Sequence, residues 1–291
     1  MKKKTNSDLI KKFLEHLKND KEKKLSAQTI KTYDNISNNL PFNILTSQST
    51  IISKLKNTYD NPNTLSLYLN MIILIRRFND EEHDKLIKFR NSLSDSIKKE
   101  RKNNLDKMDD TLPNYNKIKE ELDNLSGVQY LINYLMMNNG LRNKDLNLKF
   151  VKSKPEESDE NLIRIKGKTV LLNINDYKTE KSHGEKVLKI NDSKFLEELK
   201  KLKLTDDDYI IPMKNGDKIK NITTFNDKIK KLTIGNLGQN RLVKIVIKHL
   251  LNNKQFDKLE QLGKDRGTSM SVLLTSYNLE NGNDQDKKEE E

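Results

Sequence analysis

The stretch Asn161-Leu162-Ile163-Arg164-Ile165-Lys166-Gly167-Lys168-Thr169-Val170-Leu171-Leu172-Asn173-Ile174 decides the fold class, together with Val187-Leu188-Lys189-Ile190 after it. These short apolar runs are rich in β-branched residues and broken by Gly167 and Gly184, which is how strands read. With Phe150-Val151 before them, they predict a small antiparallel sheet of about three strands. Outward from this island every apolar pattern has helical spacing. Helices are expected at Asn114–Leu125 and Val128–Asn138 on one side, and at Ser193–Leu202, Ile222–Leu232, Asn240–Leu251 and Phe256–Leu262 on the other, with a last one ending near Tyr277. The class is therefore mainly α with a small antiparallel sheet, α+β.

The amino-terminal third carries no strand signal. Leu9, Ile10, Phe13, Leu14 and Leu17 recur at helical spacing, Ser26 is placed to cap a second helix, and Pro41 closes it. Ser49–Tyr59 reads as a short helix, Asp60-Asn61-Pro62-Asn63 as a turn, and Thr64–Phe78 and Asp80–Ile97 as two further helices. The chain then turns polar and charged up to Pro113. Its 291 residues are about twice the ~100–150 of one ordinary domain. The division expected is a helical domain over 1–100, a linker over 101–113, a helix–sheet–helix domain over 114–278 and an acidic tail over 279–291.

Charged residues make up 34% of the chain and hydrophobic ones 33%. No apolar run approaches the ~20 residues that span a bilayer, and Met-Lys-Lys-Lys leads into polar residues. The expectation is an intracellular protein, cytoplasmic or nuclear, neither secreted nor membrane-bound. With no Cys and 4 scattered His, disulfides, thiolate zinc sites and cysteine nucleophiles are excluded and no metal site is expected. The net charge of +12 is spread over both halves: 22 basic against 15 acidic residues over 1–110, and 33 against 28 beyond. Such a surplus favours a polyanionic partner, because each neutralised phosphate releases counterions. Abundant Lys, Asn and Ile also fit an AT-rich coding sequence. A helical protein-interaction module whose lysines reflect only composition thus stands as a third reading.

Four segments in order carry a resemblance. Asn139-Gly140-Leu141-Arg142-Asn143-Lys144-Asp145-Leu146 is similar to the Thr-Gly-Leu-Arg-x-x-Glu-Leu box of the tyrosine recombinase (phage integrase) family. Asp176-Tyr177-Lys178-Thr179, then Gly184 and a strand, resembles the hairpin that delivers that family's lysine. Arg266-Gly267-Thr268-Ser269 resembles Leu-Gly-His-Ser, and Tyr277 follows Thr268 by the family's nine residues. Leu25-Ser26-x-x-Thr29-Ile30-x-x-Tyr33 resembles the opening of its helical, SAM-like core-binding domain.

The resemblance implies two basic domains clamping double-stranded DNA, and strand cleavage and rejoining through a 3′-phosphotyrosine without metal or nucleotide cofactor. It implies Arg142 on the scissile phosphate, Lys178 as proton donor to the leaving oxygen and Tyr277 as nucleophile. It also implies self-association on DNA, usually as a tetramer, in a virus, phage or mobile element. Arg76, Arg77, Lys98, Lys99, Arg101 and Lys244 are taken as further DNA contacts. Two departures stand against activity. Aligning the second box, His-x-x-Arg, on Lys248-His249-Leu250-Leu251 puts Asn240 at its histidine and Val243 at its arginine, and Thr268 stands at the later histidine position. Arg241 is a substitute only if the helix is re-registered, since two residues turn a helical side chain by about 200°. An active recombinase and a catalytically inactive architectural or regulatory relative both remain open.

Overall fold

The computed structural model describes residues 6–19, 27–38, 40, 42–109, 111–177 and 185–277. The chain divides into two compact units, Met1–Asn104 and Leu105–Glu291, each with its own core. The expected Ser26 cap, Pro41, Lys178, the hairpin loop with Gly184, and the tail lie outside the described residues. So do the side chains of Arg101 and Tyr277.

The first unit is built from α1 (Asn6–Asn19), α2 (Ala27–Asn38), α3 (Gln48–Thr58), α4 (Pro62–Phe78), α5 (Asp84–Ser92) and the start of α6 (Ser94–Asp109). Helix α4 is its spine, burying Leu65, Leu69, Met71, Ile72, Ile73 and Ile75. The supposed turn before α4 is its start signal. Asn61 accepts from the Asn63 and Thr64 amides, and Pro62, whose missing N–H is no loss at a first turn, opens the helix. The single helix expected over Asp80–Ile97 is two, parted at Leu93, whose amide turns back to the Arg90 and Asn91 carbonyls. Helix α6 then runs on to Asp109, through most of the stretch read as a linker. Its sequence has no Pro or Gly to stop it, so polarity alone marks no break.

The second unit contains α7 (Tyr115–Asn124), α8 (Gly127–Asn139), a 3₁₀ turn at Lys144–Leu146, and strands β1 (Leu148–Phe150), β2 (Asn161–Lys166), β3 (Thr169–Ile174) and β4 (Lys186–Ile190). After the sheet come α9 (Ser193–Lys201), α10 (Ile222–Leu232), α11 (Gly238–Asn252), α12 (Phe256–Arg266) and α13 (Met270–Tyr277). The sheet corrects the expectation of three antiparallel strands. It has four, in the order β1-β2-β3-β4, and β1 pairs parallel to β2. A return through residues 151–160 allows this, and a polar knot holds it. Glu160 receives Lys149 at 3.2 Å, Lys218 at 3.1 Å and the Tyr209 hydroxyl at 2.5 Å. Those donors hold the Glu160 carboxyl down to about 2 against the opposing effect of burial. Helix α8, buried nearly all round through Tyr130, Leu131, Ile132, Leu135 and Met136, packs against α9, α11 and α12. No helix among the described residues is long and apolar enough to cross a membrane.

Candidate phosphate-binding site

The site forms where two helix carboxyl ends meet. Helix α8 stops on Gly140 in the left-handed conformation (φ 61°), and α12 stops on Gly267 in the same way (φ 63°). At Gly140 a side chain is strained by the positive φ and would also press on Leu262, whose Cδ1 would lie 3.2 Å from its Cβ. The tight exit from α8 throws Arg142 toward the end of α12. Its Nη2 donates to Thr268 Oγ1 at 2.7 Å, and its Nη1 donates to the main-chain carbonyl of Arg266. The Arg142 amide donates to Asp145 Oδ2 at 2.9 Å.

Three cations and two carboxylates converge here. Lys186, the first residue of β4, donates through Nζ to the Asp265 carbonyl and lies over the Tyr177 ring, 4.9 Å from its centroid. Burial pulls the Lys186 ammonium below its ordinary value, and the guanidinium groups of Arg142 and Arg266 add to this; Asp145 and Asp265 oppose it. The fully buried Asp145 is pushed up by the same loss of water, against the Arg142 amide and the three nearby cations. Asp265 accepts from Asn139 Nδ2 at 2.7 Å and from Gln261 Nε2 at 2.6 Å. Beside the cluster opens a hollow of about 830 Å³, lined among others by Tyr177, Lys186, Gly263, Gly267, Thr268 and Met270. Its charged lining is Lys186 and Lys264 together with Glu185 and Glu260, and Arg142 adjoins it through Thr268, so the donors for an anion are gathered on the Lys186–Thr268 side.

Of the residues expected to act together, Arg142 and Thr268 are in direct contact. Tyr277 closes α13, the helix that follows the Thr268 turn. The second box does not join them. Val243 is fully buried in α11, Asn240 is exposed, and Arg241 donates to Thr111 Oγ1 at 3.2 Å. The helical rotation that separates position 241 from 243 is therefore realised, and no guanidinium stands at the second-box position. Gln239, unremarked in the sequence, does reach across, accepting from the Asn143 amide.

Two of the expected DNA contacts are corrected. Arg76, 4% exposed, spends its guanidinium on the carbonyls of Glu82 (2.6 Å), Ile44 (2.7 Å) and Thr46 (3.0 Å) and pairs with Glu81. It is a core bracket, because α4 turns it inward toward the 42–46 loop. Lys244, 2% exposed, lies among the inward-facing Leu242, Val243, Ile245 and Val246 of α11. Arg77, Lys98 and Lys99 are exposed, with Lys98 also 3.7 Å from Asp95. His249 packs flat on Tyr115 at 3.7 Å between centroids, which agrees with a structural role.

Lys186 and Arg266 are the members of the cluster that the sequence motifs do not single out. Lys186 shares the inward face of β4 with Leu188 and Ile190, a period-two signal that was available, but its charge masks it among the neighbouring lysines. In the chain Arg266 stands where the resembled motif has a leucine, directly before Gly267.

No family model matches this chain, and no curated protein matches it. Among solved structures, the crystal structure of XerA recombinase aligns with 94% of this chain and 94% of its own, at 15% identity and a TM-score of 0.39. A likeness of that degree carries no argument about family or activity.

Proposed function

We propose that this chain is a duplex-DNA-binding protein of tyrosine-recombinase type whose carboxyl-half unit grips a backbone phosphate but is poor at cleaving it. The supporting observation is the meeting of Arg142, Lys186 and the 266–268 turn beside the hollow, with Val243 buried where the second clamp arginine would stand. A phosphoryl group in transfer spreads charge over its equatorial oxygens and needs more than one fixed donor. Losing a preorganised donor of that kind typically slows such a step by ~10²–10³, and here the arginine and the histidine position are both changed. Affinity is less affected, because it is spread over many surface lysines. In this proposal the protein acts as an architectural or regulatory DNA binder, with the helical unit as core-binding domain and self-association on DNA following the resemblance. It works wherever its DNA lies.

A second reading, an active recombinase, has one specific observation behind it. Lys186 is a partly desolvated ammonium that feels the charge of Arg142, and on this reading it would donate a proton to the leaving 5′ oxygen. The Tyr277 oxygen would then attack the phosphorus as its hydroxyl passes its proton to water, the P–O5′ bond would break, and the freed 5′ oxygen would take the lysine proton.

A nicked suicide duplex pool separates the two. The native chain is expected to bind duplex in a salt-sensitive way, to give no covalent adduct within the time a competent recombinase needs, and to bind unchanged as Tyr277→Phe. Adduct from the native chain and none from Tyr277→Phe selects the active enzyme. Duplex binding that is indifferent to salt defeats both.

A further inference from the structure

The ends of α8 and α12 do more than lie close. Asn139 bonds Asp265, Gly140 bonds Arg266 and Arg142 bonds Thr268, and each pair is 126 residues apart. The two helix exits thus run side by side in one fixed register. The bonds also cross. Arg266 Nη1 donates to the Gly140 carbonyl at 2.6 Å, while Arg142 Nη1 donates back to the Arg266 carbonyl. Each arginine satisfies a carbonyl on the stretch that carries the other, and each lies at the negative end of the partner's helix dipole.

The two arginines are not equivalent. Arg142 is half-buried, whereas Arg266 is 3% exposed and cannot itself meet a ligand. A free arginine samples many rotamers and gives up that freedom when it grips a phosphate, so a guanidinium held beforehand binds better. Close contact adds stiffness: a Cβ at Gly140 would lie 3.4 Å from Arg266 Cβ.

Building on the DNA-binding reading above, we infer that Arg266 is a positioning residue, locking the 266–268 turn onto the 140–142 loop so that Arg142 is presented to a phosphate in one orientation. Nothing in the second box need supply that order. The bracket replaces, in this chain, part of what a second clamp residue would have contributed to holding the site.

The test is the salt dependence of binding by the full chain to a mixed-sequence duplex pool, with melting temperature measured in parallel. Arg142→Gln is expected to make the slope of log K against log salt shallower by about 0.9, the loss of one phosphate contact. Arg266→Met is expected to remove most of the same increment, the double variant to lose no more than Arg142→Gln alone, and Arg266→Lys, which keeps a donor, to restore part of it. A purely structural role lowers the melting temperature of Arg266→Met and leaves the slope at the native value, which overturns the inference. Should Arg266→Met not fold, Thr268→Val removes only the hydroxyl facing Arg142. A shallower slope then supports the bracket and a native slope overturns it. Native binding without salt dependence overturns the DNA reading and this one together. A native slope lost in Arg142→Gln but kept in Arg266→Met and Thr268→Val overturns this one alone.

Discussion

Arg76 in the helical unit and Arg142 in the second unit are both arginines on or just after a long apolar helix, and both donate to main-chain carbonyls. Arg76 lies inside the helical core, with two carbonyls of the 42–46 loop on one side and the Glu82 carbonyl on the other. Arg142 lies at a helix exit, bonds one carbonyl and one hydroxyl, and stands among Lys186, Asp145 and Asp265 near an open hollow. The first closes a loop onto a helix and is consumed by it. The second is held by its neighbours while remaining half-buried. What separates the two arginines is thus where their bonded partners leave them, since both are well bonded.

That contrast can be broken at three places. The largest effect is expected for Arg76→Met, which strands three carbonyls. It is expected to cost about 3–5 kcal/mol of stability, read from the denaturant midpoint, with the salt slope of DNA binding unchanged. A slope that falls while stability holds would return Arg76 to the phosphate contacts.

Lys186→Met comes next, and its signature is in the pH dependence. The folded-state value of Lys186 is lowered, so between it and the unfolded value near 10.4 the unfolded chain holds a proton that the folded chain has released. Stability of the native chain therefore gains a rising contribution as pH climbs through that window, and below it the buried charge is a standing cost. Lys186→Met is expected to lose that contribution, seen as a difference between the two proteins' melting temperatures that grows as pH rises toward the unfolded lysine value. Parallel curves would show that Lys186 is solvated. The tyrosines whose values are raised by burial, such as Tyr209 at about 12, are common to both proteins and cancel in the difference.

The smallest effect belongs to Arg77→Ala, one residue from the bracket and exposed. Its stability is expected within about 0.5 kcal/mol of native. Its salt slope falls by up to about 0.9 if the exposed side of α4 meets a phosphate. Destabilisation comparable to Arg76→Met would mean that the two neighbours share one role.

Much of the architecture was legible because periodicity is a local property. The apolar faces of α1, α4, α8 and α11, and the β texture between Phe150 and Ile190, all follow from spacing within a dozen residues. Where the structure differs, hydrogen bonds that spacing does not show decided, distant in the sheet and local at the start of α4. Pairing of β1 with β2 depends on Glu160 gathering Lys149, Lys218 and Tyr209, residues separated by up to 69 positions. Asp60–Asn63 reads equally as a turn or a helix cap until the Asn61 bonds are seen. The continuous charge of α6 hid a helix in a supposed linker.

The site was half legible in the same sense. Arg142, Asp145 and Thr268 stand in local motifs, and the rotation that puts Val243 and Arg241 on different sides is a property of any helix. Which lysine reaches the cluster is not. Lys178 and Lys186 look alike in the chain, and only the seating of β4 beside the end of α12 singles out Lys186 among the described residues. The sequence by itself determined the helical and strand segments and the basic surplus, because each is written in composition or in short-range period. Only the tertiary structure decided which cations are buried, which are braced against one another and which face the hollow. Those properties depend on how much water each charge loses and on partners as far as 126 residues away.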